Sequence, residues 1–228
     1  MIEFKHVFKN YTNDIEAASD LSVKIDQGEF VYVVGPSGAG KSTFIKMMYR
    51  EEQPTSGQIK INEFELDKIK GHEIPYLRRE LGIVFQDFKL LPKMTVFENV
   101  AYALQVIEKK PEEIKQRVKR VLDLVGLADK AAAFPDELSG GEQQRIAIAR
   151  AIANQPGIVI ADEPTGNLDP DTAGGIMDIL EEINQQGTTI VMATHNSGIV
   201  NQRKHRVIEI EAGHIIRDQR KGGFSKDE

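Results

Sequence analysis

The feature that most constrains the fold is a glycine-rich loop between an apolar run and a helical pattern. The loop reads GPSGAGKST, starts at Gly35 and directly follows the apolar run FVYVV. It satisfies the pattern G-x-x-x-x-G-K-S/T, in which glycines let the backbone curl so that its N–H groups surround phosphate oxygens. Because a strand pattern precedes the loop and a helix pattern follows it, a chance glycine turn is the weaker interpretation. The chain is therefore predicted to contain an α/β nucleotide-binding core.

The residues of this loop have distinct expected roles. Lys41 is expected to reach the β and γ phosphates of a nucleotide, and the Ser42 hydroxyl is expected to coordinate Mg²⁺. The expected nucleotide contacts of the loop come from the following residues: Gly35, Pro36, Ser37, Gly38, Ala39, Gly40, Lys41, Ser42 and Thr43.

A second polar site follows the apolar strand pattern IVIA. Asp162 ends this pattern, where P-loop enzymes place the carboxylate that holds Mg²⁺, usually through water. Glu163 follows directly, and its side chain is expected on the other face of the strand end. One carboxylate can then hold the metal while its neighbour polarises the attacking water as a general base. The alternative is a solvated strand end, which the phosphate loop makes less favourable.

Three further side chains are candidates for contacts with the nucleotide. His195 ends the strand pattern TTIVMAT, and Gln86 follows the strand pattern LGIVF. Because parallel strand ends converge on a bound nucleotide, both are expected near the γ-phosphate, the metal or the attacking water. Tyr11 is expected to stack on adenine. The structural alternatives are a His195 and a Tyr11 that only pack against their surroundings.

The stretch LSGGE starts a second glycine-rich helix. Ser139, Gly140 and Gly141 offer a hydroxyl and free backbone N–H groups to an anion. The alternative is simple helix capping, which Glu142 in the first turn favours. One ATP cannot easily be cradled twice from the same direction by one chain. The preferred interpretation is therefore that this helix start contacts ATP held by another chain.

Strand patterns flank a helical stretch, which predicts one α/β core with a helical insertion. Helices are expected over 41–50 and 171–186 and from Pro111, and a closing hairpin is expected from Val207 to Ile215. The predicted divisions are 1–85, the first part of the nucleotide-binding core with a β subdomain; 86–154, a helical subdomain; 155–219, the second part of the core; and 220–228, a flexible tail.

Composition excludes several classes of function. The formal net charge of −6 argues against a broad nucleic-acid footprint. The chain has no cysteine, so disulfides and zinc–thiolate sites are excluded. No apolar run approaches the roughly 20 residues needed to cross a bilayer, and the amino terminus lacks a signal-peptide pattern. Membrane association is therefore expected only through a partner.

Together these motifs resemble those of an ATP-binding-cassette (ABC) ATPase over nearly the whole chain. GPSGAGKST resembles the Walker A loop, IVIADE the Walker B strand and LSGGE the signature of that family. Gln86 matches the Q-loop position, His195 the H-loop, Tyr11 the adenine-stacking aromatic and Asn167-Leu168-Asp169 the D-loop. Asn196 stands where many cassettes carry an acidic residue, but no core motif residue is missing.

The resemblance implies a fold and a reaction. The fold is an α/β P-loop NTPase (RecA-like) core with an N-terminal antiparallel β subdomain and an inserted α-helical subdomain. The reaction is hydrolysis of ATP to ADP and phosphate, with ATP and Mg²⁺ as cofactors. The catalytic residues it implies are Glu163, His195, Gln86 and Lys41. The metal-holding residues it implies are Ser42, Gln86 and, through water, Asp162.

The resemblance also implies an assembly. Two chains form an ATP-dependent head-to-tail homodimer with two ATP molecules between them. The residues that contact the other chain's ATP are Ser139, Gly140, Gly141 and Asp169. A polytopic membrane protein docks in a groove lined by residues from about Gln86 to Asn99, which places the pair at the cytoplasmic face of the plasma membrane. The stretch supplies several apolar residues for such a groove: Phe88, Leu90, Leu91 and Phe97.

The sequence around the motifs, including FKLLP, is similar to a branch of the family that acts in bacterial cell division. That branch controls peptidoglycan hydrolysis across the membrane from the division site and carries no solute. Three alternatives stay open. The chain could be the ATPase of a lipid, lipoprotein or macrolide exporter, whose members tend to carry FNLLP. It could be an ATP-dependent clamp or scaffold with little hydrolysis, or a P-loop kinase of a small molecule, although intact Glu163 and His195 argue against a clamp and LSGGE against a kinase.

Overall fold

The computed structural model describes residues 1–12 and 15–224 of the chain. The chain forms two compact units. The first comprises Met1–Arg78 and Thr189–Glu228, and the second comprises Arg79–Thr188. The strands are β1 (Ile2–Asn10), β2 (Glu16–Ile25), β3 (Phe30–Val34), β4 (Ser56–Ile61), β5 (Phe64–Glu65), β6 (Leu81–Val84), β7 (Ile158–Asp162), β8 (Thr189–Ala193), β9 (Arg206–Glu211) and β10 (His214–Gln219). The helices are α1 (Lys41–Met48), α2 (Ile74–Arg79), α3 (Val96–Gln105), α4 (Pro111–Leu124), α5 (Gly140–Ile152), α6 (Pro170–Gln185) and α7 (Ser197–Gln202).

The first unit contains the predicted antiparallel sheet near the amino terminus. Its strand order is β2-β1-β4-β5, and β1 pairs antiparallel with both of its neighbours. The burial of β2 alternates along the strand, with Leu21, Val23 and Ile25 buried and the polar residues between them exposed. This is the pattern of a sheet with one face on the core and the other in solvent.

The same unit also contains the strand that precedes the phosphate loop. All five residues of β3 are buried. This strand pairs in parallel with β8 on one side and β9 on the other, and β10 pairs antiparallel with β9. A strand with parallel neighbours on both sides is covered on both faces, which explains why its sequence is a continuous apolar run. The predicted closing hairpin is confirmed as β9 and β10.

The second unit carries the helical stretch together with a parallel pair of strands. In that pair, β6 runs parallel to β7, with Leu81 opposite Ile158. The predicted helix from Pro111 is confirmed as α4, which has Pro111 at its first position. Its buried residues recur at helical spacing: Ile114, Val118, Val121 and Leu122. Within the described ranges, no helix is long and apolar enough to span a membrane.

The units group β7 and α6 with the helical stretch, although the sequence assigns them to the core. The predicted boundaries at 85/86 and 154/155 stay predictions. The expected tail begins with residues that carry hydrogen bonds. Arg217 Nη2 donates to the carbonyl oxygen of Phe224 at 2.7 Å, and the N–H of Phe224 donates to Asn201 Oδ1 at 2.7 Å. The remainder of that tail, 225–228, lies outside the described residues.

Asn99 is a fully buried polar side chain that holds the segment before α3. Its Oδ1 accepts from the N–H of Leu91 at 2.8 Å. Its Nδ2 lies within hydrogen-bond distance of the carbonyl oxygens of Leu91, Met94 and Thr95, at 3.1, 2.9 and 3.0 Å. The carbonyl oxygens of Leu91 and Thr95 also accept backbone hydrogen bonds, from Met94 and from Asn99 itself. The amide therefore adds hydrogen bonds to the backbone of residues 91–95 from a buried position.

Asn99→Ala is expected to lower the free energy of unfolding by about 2–4 kcal/mol, because it removes these hydrogen bonds from a buried site. Urea denaturation followed by circular dichroism measures the change. Asn154→Ala is the matched control, since its amide makes an exposed hydrogen bond to the carbonyl oxygen of Arg79 at 2.9 Å. Its expected cost is at most about 1 kcal/mol. Equal losses in the two variants would contradict the role given to Asn99.

Candidate functional site

The phosphate loop lies in the first unit and requires glycine at two positions. The φ angles of Gly35 and Gly40 are 146° and 107°, values that side-chain-bearing residues rarely adopt. A Cβ at Gly35 would lie 2.0 Å from the carbonyl oxygen of Ile210, and a Cβ at Gly40 would lie 2.4 Å from that of Ala17. Both distances are far below van der Waals contact. The loop can therefore keep this curl only with glycine at both positions.

Lys41 occupies the first position of α1, and its ammonium group lies inside the curl of the loop. Its Nζ donates to the carbonyl oxygens of Gly35 at 2.7 Å and Pro36 at 2.9 Å. The helix begins without a side-chain cap at Gly40, so its first N–H groups remain for another acceptor. Ser42 is exposed beside them. This helix start combines a buried cation with N–H groups, as an anion site does.

Tyr11 lies beside the same helix. Its hydroxyl is 3.3 Å from Thr43 Oγ1, and Lys9 Nζ lies over its ring, 4.8 Å from the centroid. The ring is partly exposed. The structure thus brings Tyr11 to the phosphate loop, and its stacking on adenine stays a prediction.

His195 leaves the same sheet edge as the phosphate loop. It follows β8, in which Ala193 pairs with Val33 of β3, and the N–H of Thr194 donates to the carbonyl oxygen of Val33 at 3.1 Å. The imidazole is exposed. Asn196 caps α7, because its Oδ1 accepts from the N–H of Ile199 at 3.2 Å. Asparagine and aspartate are equally good helix caps, which explains why asparagine is acceptable here.

The second unit places Gln86, Asp162 and Glu163 at one sheet edge. Val84 pairs with Ala161, so Gln86, which follows β6, and Asp162, the last residue of β7, both lie at the carboxyl ends of parallel neighbours. A Cβ at Gly166 would lie 3.4 Å from Gln86 Nε2 and 3.6 Å from Glu163 Cβ, which brings these two side chains to the same turn. Glu163 itself has a φ of 49°. Left-handed backbone at a non-glycine residue concentrates at functional sites.

Ser139 caps the signature helix α5. Its Oγ accepts from the N–H of Glu142 at 3.3 Å, and Glu142 Oε2 accepts from the N–H of Ser139 at 2.8 Å. These hydrogen bonds hold the pKa of the Glu142 carboxyl below its usual value, with the backbone N–H of Ser139 contributing most. The capping alternative is therefore confirmed as local geometry. It leaves the N–H groups of the two glycines, which start the helix, without an intrahelical acceptor.

The D-loop packs against the signature glycines within the second unit. A Cβ at Gly141 would lie 2.3 Å from Thr172 Cγ2, and a Cβ at Gly140 would lie 3.8 Å from Leu168 Cδ2. Asp169 caps α6 by accepting from the N–H of Thr172 at 3.0 Å, and the hydrogen bonds of Thr172 lower the pKa of the Asp169 carboxyl. Close approach of α5 and α6 thus gives Gly141 a packing role that the sequence alone did not show.

Comparison with known proteins identifies the family. Residues 18–166 match the family described as ABC transporter. The chain belongs to the ABC transporter family. This ABC ATPase is 65% identical to the cell division ATP-binding protein FtsE of Bacillus subtilis (strain 168), over 98% of each chain. It is 58% identical to the FtsE of Streptococcus pneumoniae serotype 2, over 100% of this chain and 99% of the relative. The FtsE of Escherichia coli (strain K12) is 43% identical, over 94% and 97%.

Solved structures confirm the predicted fold class of this ABC ATPase. The ATP-binding cassette MJ0796, in a dimeric post-hydrolysis state bound to ADP and Pi, matches with a TM-score of 0.88 and 36% identity, over 98% of this chain and 100% of that chain. The structure of cbiO1 from Clostridium perfringens, part of the ABC transporter complex cbiONQ, matches with a TM-score of 0.89 and 30% identity, over 96% and 88%. The α/β P-loop NTPase fold and the ATPase class are both confirmed.

Proposed function

We propose that this ABC ATPase acts with an FtsX-like polytopic membrane protein in bacterial cell division, where ATP cycling controls peptidoglycan hydrolysis. The strongest support is the 65% identity, over 98% of each chain, to a relative named for cell division. The protein would lie at the cytoplasmic face of the plasma membrane, at the division site, and would be held there by its partner.

We propose the following roles for the residues of the first unit. Lys41 neutralises charge on the β and γ phosphates, for which its buried position inside the loop is suited. The N–H groups at the start of α1 bind phosphate oxygens. His195 contacts the γ-phosphate or the attacking water, and Tyr11 stacks on adenine.

For the second unit, we propose that Glu163 polarises the water that attacks the γ-phosphate. Gln86, which borders the same turn as Glu163, contacts the metal or that water. Mg²⁺, when bound, supplies positive charge that stabilises the transferring phosphoryl group. In this unit, Gln86 and Asp162 are assigned to the metal, and in the first unit Ser42 is assigned to it. Each of these side chains offers an oxygen atom, which is the ligand atom that Mg²⁺ prefers.

We also propose that two copies of the chain associate when ATP binds. Ser139, Gly140, Gly141 and Asp169 would then contact the ATP of the partner copy. Support comes from the first-turn N–H groups of α5 and from the dimeric state of the matched cassette MJ0796. A Cβ at Gly140 would meet only ordinary contacts at 3.8 Å, so the fold does not require glycine at this position. Contact with a ligand explains the glycine better than packing does.

The docking surface proposed for the membrane partner runs from Gln86 to Asn99. Phe88, Leu90, Leu91 and Phe97 are all half-buried, so each packs partly against the protein and offers the rest of its surface. Helix α3, which contains Phe97, also carries Tyr102, and Val106 directly follows its last residue. Tyr102 and Val106 are 45% and 58% exposed. One helical turn separates these two residues, so they share a face.

Co-expression with candidate membrane proteins tests the proposed cellular role. An FtsX-like protein is expected to co-purify with the full chain, and the pair is expected to hydrolyse ATP. A lipoprotein or macrolide exporter permease serves as the matched competitor. Preferential capture of the permease would assign the chain to an exporter instead. A pair that binds ATP without measurable turnover would favour a clamp or scaffold.

A further inference from the structure

Arg150, in the last turn of α5, makes hydrogen bonds to the backbone of the Q-loop, a name used here for residues 86–89. Its Nη1 donates to the carbonyl oxygen of Lys89 at 2.6 Å, and its Nη2 donates to that of Phe88 at 2.9 Å. The planar guanidinium can make both hydrogen bonds at once, which a lysine ammonium on a flexible stem cannot reproduce. Burial lowers the pKa of the Arg150 guanidinium. The hydrogen bond to Phe88 is partly buried, and the one to Lys89 is exposed.

Phe88 and Lys89, whose carbonyl oxygens accept the hydrogen bonds of Arg150, have an unfavourable backbone conformation. The φ angles of Phe88 and Lys89 are 58° and 49°, so two successive non-glycine residues lie in the left-handed region. The N–H of Lys89 donates to the carbonyl oxygen of Asp87 at 2.5 Å, which closes a tight turn. Such a turn persists only when surrounding contacts stabilise it. The two hydrogen bonds from Arg150 are contacts of that kind.

The same loop also touches the other end of α5. A Cβ at Gly140 would lie 3.8 Å from Phe88 Cζ, so the Phe88 ring reaches the helix start. Side chains on a helix lean toward its amino terminus, which allows Arg150 to reach back to the same loop. Gln86 in turn borders Gly166, in the turn that follows Glu163. The Q-loop is thus attached along α5 and next to the turn that follows Glu163.

We infer that Arg150 is a positioning residue that fixes the Q-loop to the signature helix, so that Gln86 is held at the turn after Glu163. The loop and α5 then move as one body during the ATPase cycle. This inference rests on the proposed function, because the position of Gln86 matters only if Gln86 contacts the metal or the attacking water during ATP hydrolysis.

Arg150→Lys tests the inference in the purified full chain. The variant keeps a positive charge but loses the paired hydrogen bonds. We expect kcat for ATP hydrolysis to fall at least about tenfold, while KM for ATP changes by less than about threefold, because the loop positions a reacting group without binding most of the nucleotide. Hydrogen exchange of the peptide that covers 85–91 is expected to accelerate in the same variant.

Arg117→Lys is the matched control. Arg117 also donates to two carbonyl oxygens at the end of α5, those of Ile152 and Ala153, both at 2.8 Å. These acceptors lie at the carboxyl end of α5 and not in residues 86–89, so replacement of Arg117 is expected to lower stability without changing kcat. Lys89→Gly provides a rescue, because glycine adopts positive φ without steric cost. Added to Arg150→Lys, it is expected to restore at least about half of the lost kcat.

Several results would overturn the inference. They are an unchanged exchange rate over 85–91 in Arg150→Lys, an equal loss of kcat in Arg117→Lys, and a failure of Lys89→Gly to restore activity. Glu163→Gln is assayed in parallel. If that variant keeps full turnover, the proposed function fails. If it loses turnover while Arg150→Lys keeps wild-type turnover and exchange, only the role of Arg150 fails.

Discussion

Glu163→Gln is expected to double in solution mass when Mg-ATP is added, and its turnover is expected to fall by about 100- to 10,000-fold. The amide cannot accept a proton from the attacking water, but it has nearly the shape of the carboxylate. ATP should therefore bind and hold two chains together without being hydrolysed. Light scattering on the purified variant, with and without Mg-ATP, measures the mass, and phosphate release measures the turnover.

Ser139→Arg in the Glu163→Gln background is expected to abolish this doubling. A long cationic side chain at the start of α5 would obstruct the approach of a partner's ATP. Ser139→Ala is the matched control, because it loses the same helix cap, at a cost of about 1 kcal/mol, without adding bulk. The alanine variant loses the hydroxyl but keeps the first-turn N–H groups of α5, so it is expected to keep the doubling at saturating Mg-ATP. A Glu163→Gln chain that stays monomeric at high concentration and saturating ATP would contradict an ATP-driven dimer of the isolated chain.

Lys41→Met is expected to weaken ATP binding by about 10- to 100-fold, since charge-assisted hydrogen bonds are among the strong polar contacts. The substitution also removes the donor to the carbonyl oxygen of Gly35 and one of the two donors to that of Pro36, which still accepts from the N–H of Ala39 at 3.2 Å. We therefore expect a lower melting temperature in the absence of ATP as well. Titration calorimetry with a non-hydrolysable ATP analogue measures the dissociation constant, and thermal unfolding measures the stability.

Lys46→Met controls for the loss of one positive charge from the same helix. The ammonium group of Lys46 pairs with the carboxylate of Glu51 at 3.2 Å on the surface, after the end of α1 rather than at the phosphate loop. Because exposed ion pairs contribute little, the dissociation constant for ATP is expected to stay within about twofold of the wild-type value. An equal effect of both substitutions would mean that long-range charge, and not the position of Lys41, governs ATP binding.

The parts of the site that could be predicted carry local signals. The run FVYVV became five buried residues of β3, because a strand between parallel neighbours is apolar on both faces. Gly35 and Gly40 could be singled out because the loop pattern places glycine where the backbone must curl. Both have positive φ in the structure. The motifs near the ends of β6, β7 and β8 could be predicted from another local signal. Each of them lies at the end of an apolar run, which predicts a buried strand.

The contacts of Arg150 could not be predicted from the sequence. Its acceptors are backbone carbonyls of residues 61 and 62 positions away, and every residue has a carbonyl. The turn at Phe88 and Lys89 has left-handed backbone, but neither residue is a glycine from which that conformation could be predicted. Asn99 is a similar case, because its buried amide is surrounded by backbone groups. When a side chain hydrogen-bonds to backbone groups, its partner can be any residue type, so the sequence contains no signal that identifies the partner.

The hydrogen bonds of Phe224 determine where the carboxyl-terminal end of this chain can be truncated or joined to a tag without loss of stability. A purification tag joined after Phe224 keeps the acceptor of Arg217 and the donor to Asn201. A truncation before Gly222 removes both of them, together with the N–H that Gly222 donates to the carbonyl oxygen of His205 at 3.1 Å. Expression clones shortened at that point are therefore expected to yield a less stable first unit, even though every nucleotide-binding motif remains.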